Sequence, residues 1–174
     1  MTEEVIQKVK RIRLLALDVD GVLTDGRLYF SSDGTELKAF NTLDGHGIKL
    51  LRKSGVEVAI ITGRTSELVA RRAKDLGIAQ LVQGREDKLV ALQELLEKNA
   101  LDLDAIAFMG DDYPDLTVMR RAGLAMTVAG ALPIIAENAH WQSQYRGGEG
   151  AVREACDMIM QAQGTYQQAL APYL

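Results

Sequence analysis

The run Leu14-Leu15-Ala16-Leu17-Asp18-Val19-Asp20-Gly21 constrains this chain more than any other segment. An apolar stretch of strand length ends in two carboxylates one residue apart, then breaks at a glycine. Acids at the carboxyl end of a buried strand lie where open α/β sheets bind ligands. Alternate strand residues share a side, so Asp18 and Asp20 can face one small site. Such a pair suits a hard cation and a nucleophile beside a proton donor. A plain strand followed by an Asp-Gly turn would read the same way. Three later segments decide between the two.

The rest of the chain alternates strand and helix. Strands are expected at Leu14–Asp18, Val56–Ile61, Gln80–Val82, Ala105–Met109 and Leu124–Val128. Helices are expected at Asp44–Lys53, Thr65–Leu76 (closed by Gly77), Glu86–Asn99, Asp112–Ala122 and Ala151–Gln163, with a helical turn at Pro133–Asn138. Arg27–Phe30 and Glu36–Phe40 flank the polar Ser31–Thr35 loop, so a β-hairpin should span residues 27–40. Strands separated by helices imply a parallel sheet covered on both faces, an α/β fold. With no repeat or linker, residues 1–174 read as one domain.

The other residues that can carry chemistry fall at strand ends or helix starts. In Ile61-Thr62-Gly63-Arg64, a hydroxyl followed by a glycine amide can hold a phosphate oxygen. Lys88 begins a helix, where a cation can neutralise charge on a transferring phosphoryl group. In Gly110-Asp111-Asp112-Tyr113-Pro114-Asp115, acids cluster at a helix start that needs only one of them as a cap.

Taken together, this order of motifs resembles the haloacid dehalogenase-like superfamily of phosphohydrolases, from Asp18 to Asp115. The resemblance implies a three-layer, Rossmann-like core and an aspartyl-phosphate mechanism. Asp18 would be the nucleophile, and Asp20 would protonate the leaving oxygen and then activate water. Thr62, Gly63 and Lys88 would hold the phosphate. Mg²⁺ would bind the Asp18 carboxylate, the Asp20 backbone carbonyl and Asp111, with Asp112 and Asp115 in support. Carboxylate crowding would keep Asp20 protonated for its acid role.

Many members of that superfamily carry a cap domain. Here a hairpin and one helix fill the stretch from Asp20 to Thr62, and a helix and a short strand fill Thr62 to Lys88. Neither can hold a domain, so a neighbouring subunit should cover the open site. The hairpin, with Leu28, Tyr29, Phe30 and Phe40 expected at its surface, should make that contact. A closer resemblance agrees. DVDGVLTDG, the Phe40–Ile48 segment, VAIITGR, GDDYPDLTVM and Gly147–Glu154 are similar to the capless 3-deoxy-D-manno-octulosonate 8-phosphate phosphatases. It implies Mg²⁺-dependent homotetramers that release phosphate and the free sugar acid for lipopolysaccharide synthesis.

Arg64 is the first candidate for the sugar carboxylate, and Lys38 a weaker one that could merely solubilise a strand edge. His46 between two glycines and the Gly147–Gly150 turn are more simply structural. The tail over residues 164–174 would fray, or dock in an adjacent subunit as the resemblance suggests. A nine-carbon nonulosonate 9-phosphate is an alternative substrate. A receiver-like phospho-accepting switch is an alternative function, but it has no use for an acid at Asp20.

Composition narrows the partners. A net charge of −4 offers no basic surface for nucleic acid or anionic membrane. The single cysteine, Cys156, fits a reducing compartment and reads as a buried small residue. No run is long enough to cross a bilayer, and the first residues lack a signal-peptide pattern, so the cytoplasm is the expected location.

Overall fold

A computed structural model describes residues 1–174. Its strands are β1 (Leu14–Leu17), β2 (Tyr29–Phe30), β3 (Glu36–Leu37), β4 (Glu57–Ile61), β5 (Gln80–Val82), β6 (Ile106–Met109), β7 (Leu124–Thr127) and β8 (Trp141–Gln142). Its helices are α1 (Glu3–Lys10), α2 (Thr42–Lys53), α3 (Glu67–Leu76), α4 (Lys88–Asn99), α5 (Leu116–Met119), α6 (Pro133–Glu137), α7 (Ala151–Ala162) and α8 (Tyr166–Leu170). Six strands form a parallel sheet in the order β5-β4-β1-β6-β7-β8, and β2 and β3 pair separately as an antiparallel hairpin. No cap domain interrupts this core. No helix is long and apolar enough to cross a membrane.

Strand alternation divides the interior into two cores. Leu15, Leu17, Val58, Ile60, Ala107 and Met109 face α1, α2 and α7. Leu14, Ala16, Ala59, Ile61, Ile106 and Phe108 face α4 and α5. Because both faces are covered, β1 and β6 are buried at every position. Leu17 pairs with Ile60 on one side and Met109 on the other, so β1, β4 and β6 end at the same level. The chain winds outward from β1 through β4 to β5, then returns to β1's other edge for β6. The carboxyl ends of the strands at that reversal open the cleft described below.

Helices α2 and α7 pack against each other through glycines. A Cβ at Gly47 would lie 2.8 Å from Arg153 Cδ and 3.2 Å from Arg153 Cα. The first turn of α7 follows Gly150, which offers no side-chain cap. Asp44 of α2 supplies one from outside, accepting from the Arg153 backbone N–H at 2.8 Å. Burial raises the Asp44 carboxyl against these N–H bonds. The glycines around His46 thus serve packing, and the His46 ring meets Tyr173 edge-on, 5.4 Å between centroids. The tail is helical and folds back along α2, where Leu50, Lys53, Ala169, Pro172 and Tyr173 line a shared groove. Cys156 is fully buried in α7, and burial pushes its thiol up, so it is inert packing.

The structure departs from the sequence expectation in several places. α1, capped by Thr2, and the two-residue β8 were not foreseen. α2 begins at Thr42, ahead of the expected Asp44, because Asn41 accepts the Leu43 N–H at 2.8 Å. The expected helix Asp112–Ala122 is a 3-10 turn, Tyr113–Asp115, followed by the short α5. There the Asp112 and Asp115 side chains take backbone N–H groups in a capping box around Pro114. Phe40, expected at the surface, is half-buried against the larger core, with the Arg72 guanidinium 5.7 Å from its ring centroid.

The Gly147-Gly148 turn is pressed onto the loop that follows β1. A Cβ at Gly147 would fall 1.8 Å from the Gly21 carbonyl oxygen and 2.4 Å from its carbon, both backbone atoms. Gly148 donates its N–H to the Val22 carbonyl at 3.0 Å. Replacing Gly147 with Ala should therefore destabilise the protein by about 2 kcal/mol, as overpacking typically does. It should also displace the loop carrying Asp20. Urea denaturation, with activity measured on the same samples, checks both effects.

Candidate active site

Asp18 follows Leu14 and Ala16 in phase, which turns its side chain toward α4. There Lys88, on the first turn of α4, places Nζ 2.8 Å from Asp18 Oδ1 and 2.7 Å from Asp115 Oδ1. All three side chains are nearly enclosed, so each depends on the others for the partners that water would supply. Burial works to lower the lysine pKa, and Asp18 and Asp115 together outweigh it and raise it. Asp115 Oδ2 accepts the backbone N–H groups of Asp111 at 3.0 Å and Asp112 at 3.2 Å. The acid cluster thus divides its work. Asp112 caps the turn by accepting the Tyr113 N–H at 2.8 Å. Asp115 is the internal acceptor, and Asp111 is left facing the cleft.

That cleft, about 690 Å³, brings together Asp18, Asp20, Thr62, Gly63, Arg64, Lys88, Asp111, Asp112 and Asp115. The remaining lining is Gly26, Glu86 and Pro114, whose ring is the one hydrocarbon side chain there. The lining includes all the residues nominated from the motifs; Lys38, the weaker candidate, does not line the cleft. Thr62 follows β4, and its hydroxyl accepts the Arg64 N–H at 3.4 Å. A Cβ at Gly63 would meet only Glu86 Cγ, at 3.8 Å, so that glycine keeps space open rather than relieving a protein contact. Arg64 donates to Glu36 Oε1 at 2.9 Å and is 3.9 Å from Asp20 Oδ2.

Two features were not apparent in the sequence. First, the carboxylate crowding expected at Asp20 falls on Asp18 and Asp111. Burial, followed by the charge of Asp115, pushes Asp18 up to about 6. Burial, followed by the charges of Asp18, Asp115 and Asp112, pushes Asp111 up to about 7. Second, Asp20 faces cations: it accepts a hydrogen bond from Lys38 of the hairpin and approaches Arg64. Lys38, in the sequence a candidate for the sugar carboxylate, meets Asp20 here, and no local signal marks Glu36, because a two-residue strand shows no period.

Asp18, Asp111 and Asp115 offer carboxylate oxygens within 4.8 Å of one another. Asp115 is committed to Lys88 and two N–H groups, but Asp111 Oδ1 is buried with no partner. Gly21 makes this possible, since a Cβ there would lie 2.1 Å from Asp111 Oδ2. Hard oxygens, one of them unpartnered, in a pocket with excess negative charge suit a divalent cation of the Mg²⁺ type.

The parallel core and this cleft define a hydrolase of the haloacid dehalogenase-like class. The haloacid dehalogenase-like hydrolase family profile matches residues 77–154. The chain is 48% identical over 169 residues to the 3-deoxy-D-manno-octulosonate 8-phosphate phosphatase of Escherichia coli K12, covering 97% of this chain and 90% of that one. A probable YrbI family phosphatase from Pseudomonas syringae pv. phaseolica 1448a superposes with a TM-score of 0.97 at 54% identity, covering 99% and 98% of the two chains. The Moraxella catarrhalis 3-deoxy-D-manno-octulosonate 8-phosphate phosphatase, crystallised with magnesium, phosphate and the KDO sugar, superposes with a TM-score of 0.98 at 43% identity over 100% of both chains. The chain belongs to the 3-deoxy-D-manno-octulosonate 8-phosphate phosphatase family.

The raised carboxyls set a pH dependence. Asp18 and Asp111 ionise higher in the folded, metal-free protein than at the ordinary carboxylate value of 3.8. The native state then binds more protons than the unfolded chain between those values. Their stabilising contribution is complete below the unfolded pKa and is lost as the pH rises through about 6 to 7. The melting temperature of metal-free protein should rise by several degrees as the pH falls from about 7.5 to about 5.5. Saturating Mg²⁺ should flatten that slope. Calorimetry with and without the ion measures both.

Proposed function

We propose that this protein is a Mg²⁺-dependent phosphomonoesterase that hydrolyses 3-deoxy-D-manno-octulosonate 8-phosphate to the free sugar acid and inorganic phosphate. The observation that carries the reading is the Asp18–Lys88–Asp115 arrangement beside Asp111, at the ends of β1 and β6 in a polar cleft. Family membership names the substrate, and the site supplies the chemistry.

In this reading Asp18 Oδ attacks phosphorus, and the bond from phosphorus to the sugar oxygen breaks. Asp20 gives that oxygen its proton. Asp20 then takes a proton from water, whose oxygen attacks phosphorus and breaks the acyl-phosphate bond to Asp18. Thr62 and the Gly63 amide hold phosphate oxygens, and Lys88 balances their charge. The Asp18 and Asp111 carboxylates and the Asp20 carbonyl would hold Mg²⁺, which supplies positive charge between nucleophile and phosphate. Asp115 keeps the Asp111 backbone in place, and Asp112 caps the turn at Tyr113. Arg64, half-exposed on the rim and paired with Glu36, takes the sugar carboxylate.

The polar lining and open mouth call for a cover. Leu28, Tyr29, Phe30 and Leu37 are exposed on the hairpin, apolar surface on both of its sides that is suited to a second copy of this chain. A homotetramer in which hairpins meet and neighbours cover the sites accounts for that surface, and residues 1–174 act as one domain. The cytoplasm is the compartment where the sugar phosphate and Mg²⁺ are both at hand. A nonulosonate 9-phosphate is the competing substrate. A receiver-like switch is disfavoured by Asp20, which would speed loss of the phosphoryl group.

Phosphate release should be fastest with the octulosonate phosphate among a panel of sugar-acid phosphates, and chelation should abolish it. Asp18→Asn should reduce turnover to background with the fold intact, because an amide is a poor nucleophile. Asp20→Asn should lower kcat by about 10²- to 10⁴-fold, the usual range for a lost general acid–base. Mg²⁺-dependent turnover that survives Asp18→Asn would overturn the reading.

A further inference from the structure

The hairpin carries two faces with different contents. Leu37 pairs with Tyr29 across it, and both are exposed. Alternation sends Glu36 and Lys38 to the other side, toward the cleft. Lys38 ends there with only 2% of its side chain exposed, in contact with Asp20 Oδ1 and 3.9 Å from Glu36 Oε1. A lysine that merely solubilised a strand edge would keep its ammonium in water. Lys38 gives that up for a single close partner. Asp20 lines the cleft and Lys38 does not, so the enclosed ammonium supports the carboxylate without itself presenting a surface to the cleft. Arg64 is the other cation near Asp20, but at 3.9 Å and half-exposed it leaves the carboxylate free to turn.

We propose that Lys38 is a positioning residue for Asp20: it fixes the orientation of this carboxylate for the water-activating half of the reaction. The inference rests on the phosphatase reading above and adds to it a residue that touches neither phosphate nor sugar. The hairpin then joins subunit contact to chemistry, because the strand that presents Leu37 outward also sets the aim of Asp20 inward. A misplacement of about 1 Å in a catalytic group lowers rates by roughly 10²-fold. The effect of losing Lys38 should therefore fall on hydrolysis of the phosphorylated Asp18.

Rapid-quench kinetics with p-nitrophenyl phosphate and Mg²⁺ separate the two half-reactions. p-Nitrophenolate leaves without needing a proton, so Asp18 is phosphorylated normally, whereas the second step still requires Asp20 to take a proton from water. Lys38→Met should raise the ratio of burst rate to steady-state rate at least tenfold over the unaltered protein, and Lys38→Arg should restore it. Lys38→Gln, which keeps a donor without the charge, serves if Lys38→Met does not fold. An unchanged ratio overturns the proposal. So does a variant whose only defect is a higher KM for the sugar-acid phosphate, since that places Lys38 on the sugar. If the unaltered protein shows no Mg²⁺-dependent release from either substrate, the phosphatase reading itself falls. That outcome is distinct from a working enzyme with an indifferent Lys38.

Discussion

A lysine enclosed between two aspartates governs the geometry of this molecule's cleft. Lys88 binds Asp18 and Asp115 at once, and Asp115 in turn holds the backbone of Asp111 and Asp112. Through these contacts α4, β1 and the turn after β6 are held at one spacing. The charges do not balance, however. Three carboxylates share one ammonium in a pocket with little water, and the surplus appears as the raised ionisation of Asp18 and Asp111. A phosphate dianion entering such a site would add to the surplus, and near charges in low dielectric repel strongly. Only a further cation makes attack of one anion on another feasible, and the unpartnered Asp111 Oδ1 marks where charge is missing.

Holding that arrangement places demands on backbone rather than on side chains. The loop after β1 must pass beneath Asp111 on one side and the Gly147 turn on the other. Gly21, at φ +96°, leaves no space for a Cβ against the Asp111 carboxylate. Gly147 leaves none against the Gly21 carbonyl. Two chain segments far apart in sequence therefore clamp the loop that carries Asp20, and Asn41 adds a third tie by donating to the Gly148 carbonyl at 3.0 Å. Asp44, capping α7 from α2, keeps the support behind that clamp in register. Rigidity here comes from close approach, which is why glycine recurs at the contact points.

The parts legible in the sequence are those set by local chemistry. Buried strands announce themselves as aliphatic runs, so β1, β4, β6 and β7 and the acids or hydroxyl at their ends could be placed within a residue or so. Motif order then gathered Asp18, Thr62, Lys88 and Asp111 into one site. What could not be read depended on partners remote in the chain. Nothing around Asp112 and Asp115 indicates which acid caps a turn and which receives Lys88, because that is decided by where α4 lies. Asp20 looked like a member of a carboxylate cluster, yet β3 brings Lys38 to it. Phe40 looked like a surface aromatic until Arg72 of α3 covered it. β8 is too short to show any period, and α1 has a single fully buried residue, Val9.

The same logic extends to the mouth of a site without a cap. Enclosure by a separate domain would exclude water and strengthen every charge interaction in the cleft. This chain instead spends a short hairpin, whose strands are too brief to be stable alone, on the mouth of the site. Its stability must come from what it touches. On the inner side that is the cation network of Lys38, Glu36, Arg64 and Asp20. The outer side offers only exposed aromatic and aliphatic surface, which gains free energy when another surface covers it. The hairpin is thus anchored by charge on its inner side, and its outer side is left exposed. Leu37 and Lys38, neighbours in the chain, therefore tie the outer surface of the hairpin to the position of the Asp20 carboxylate.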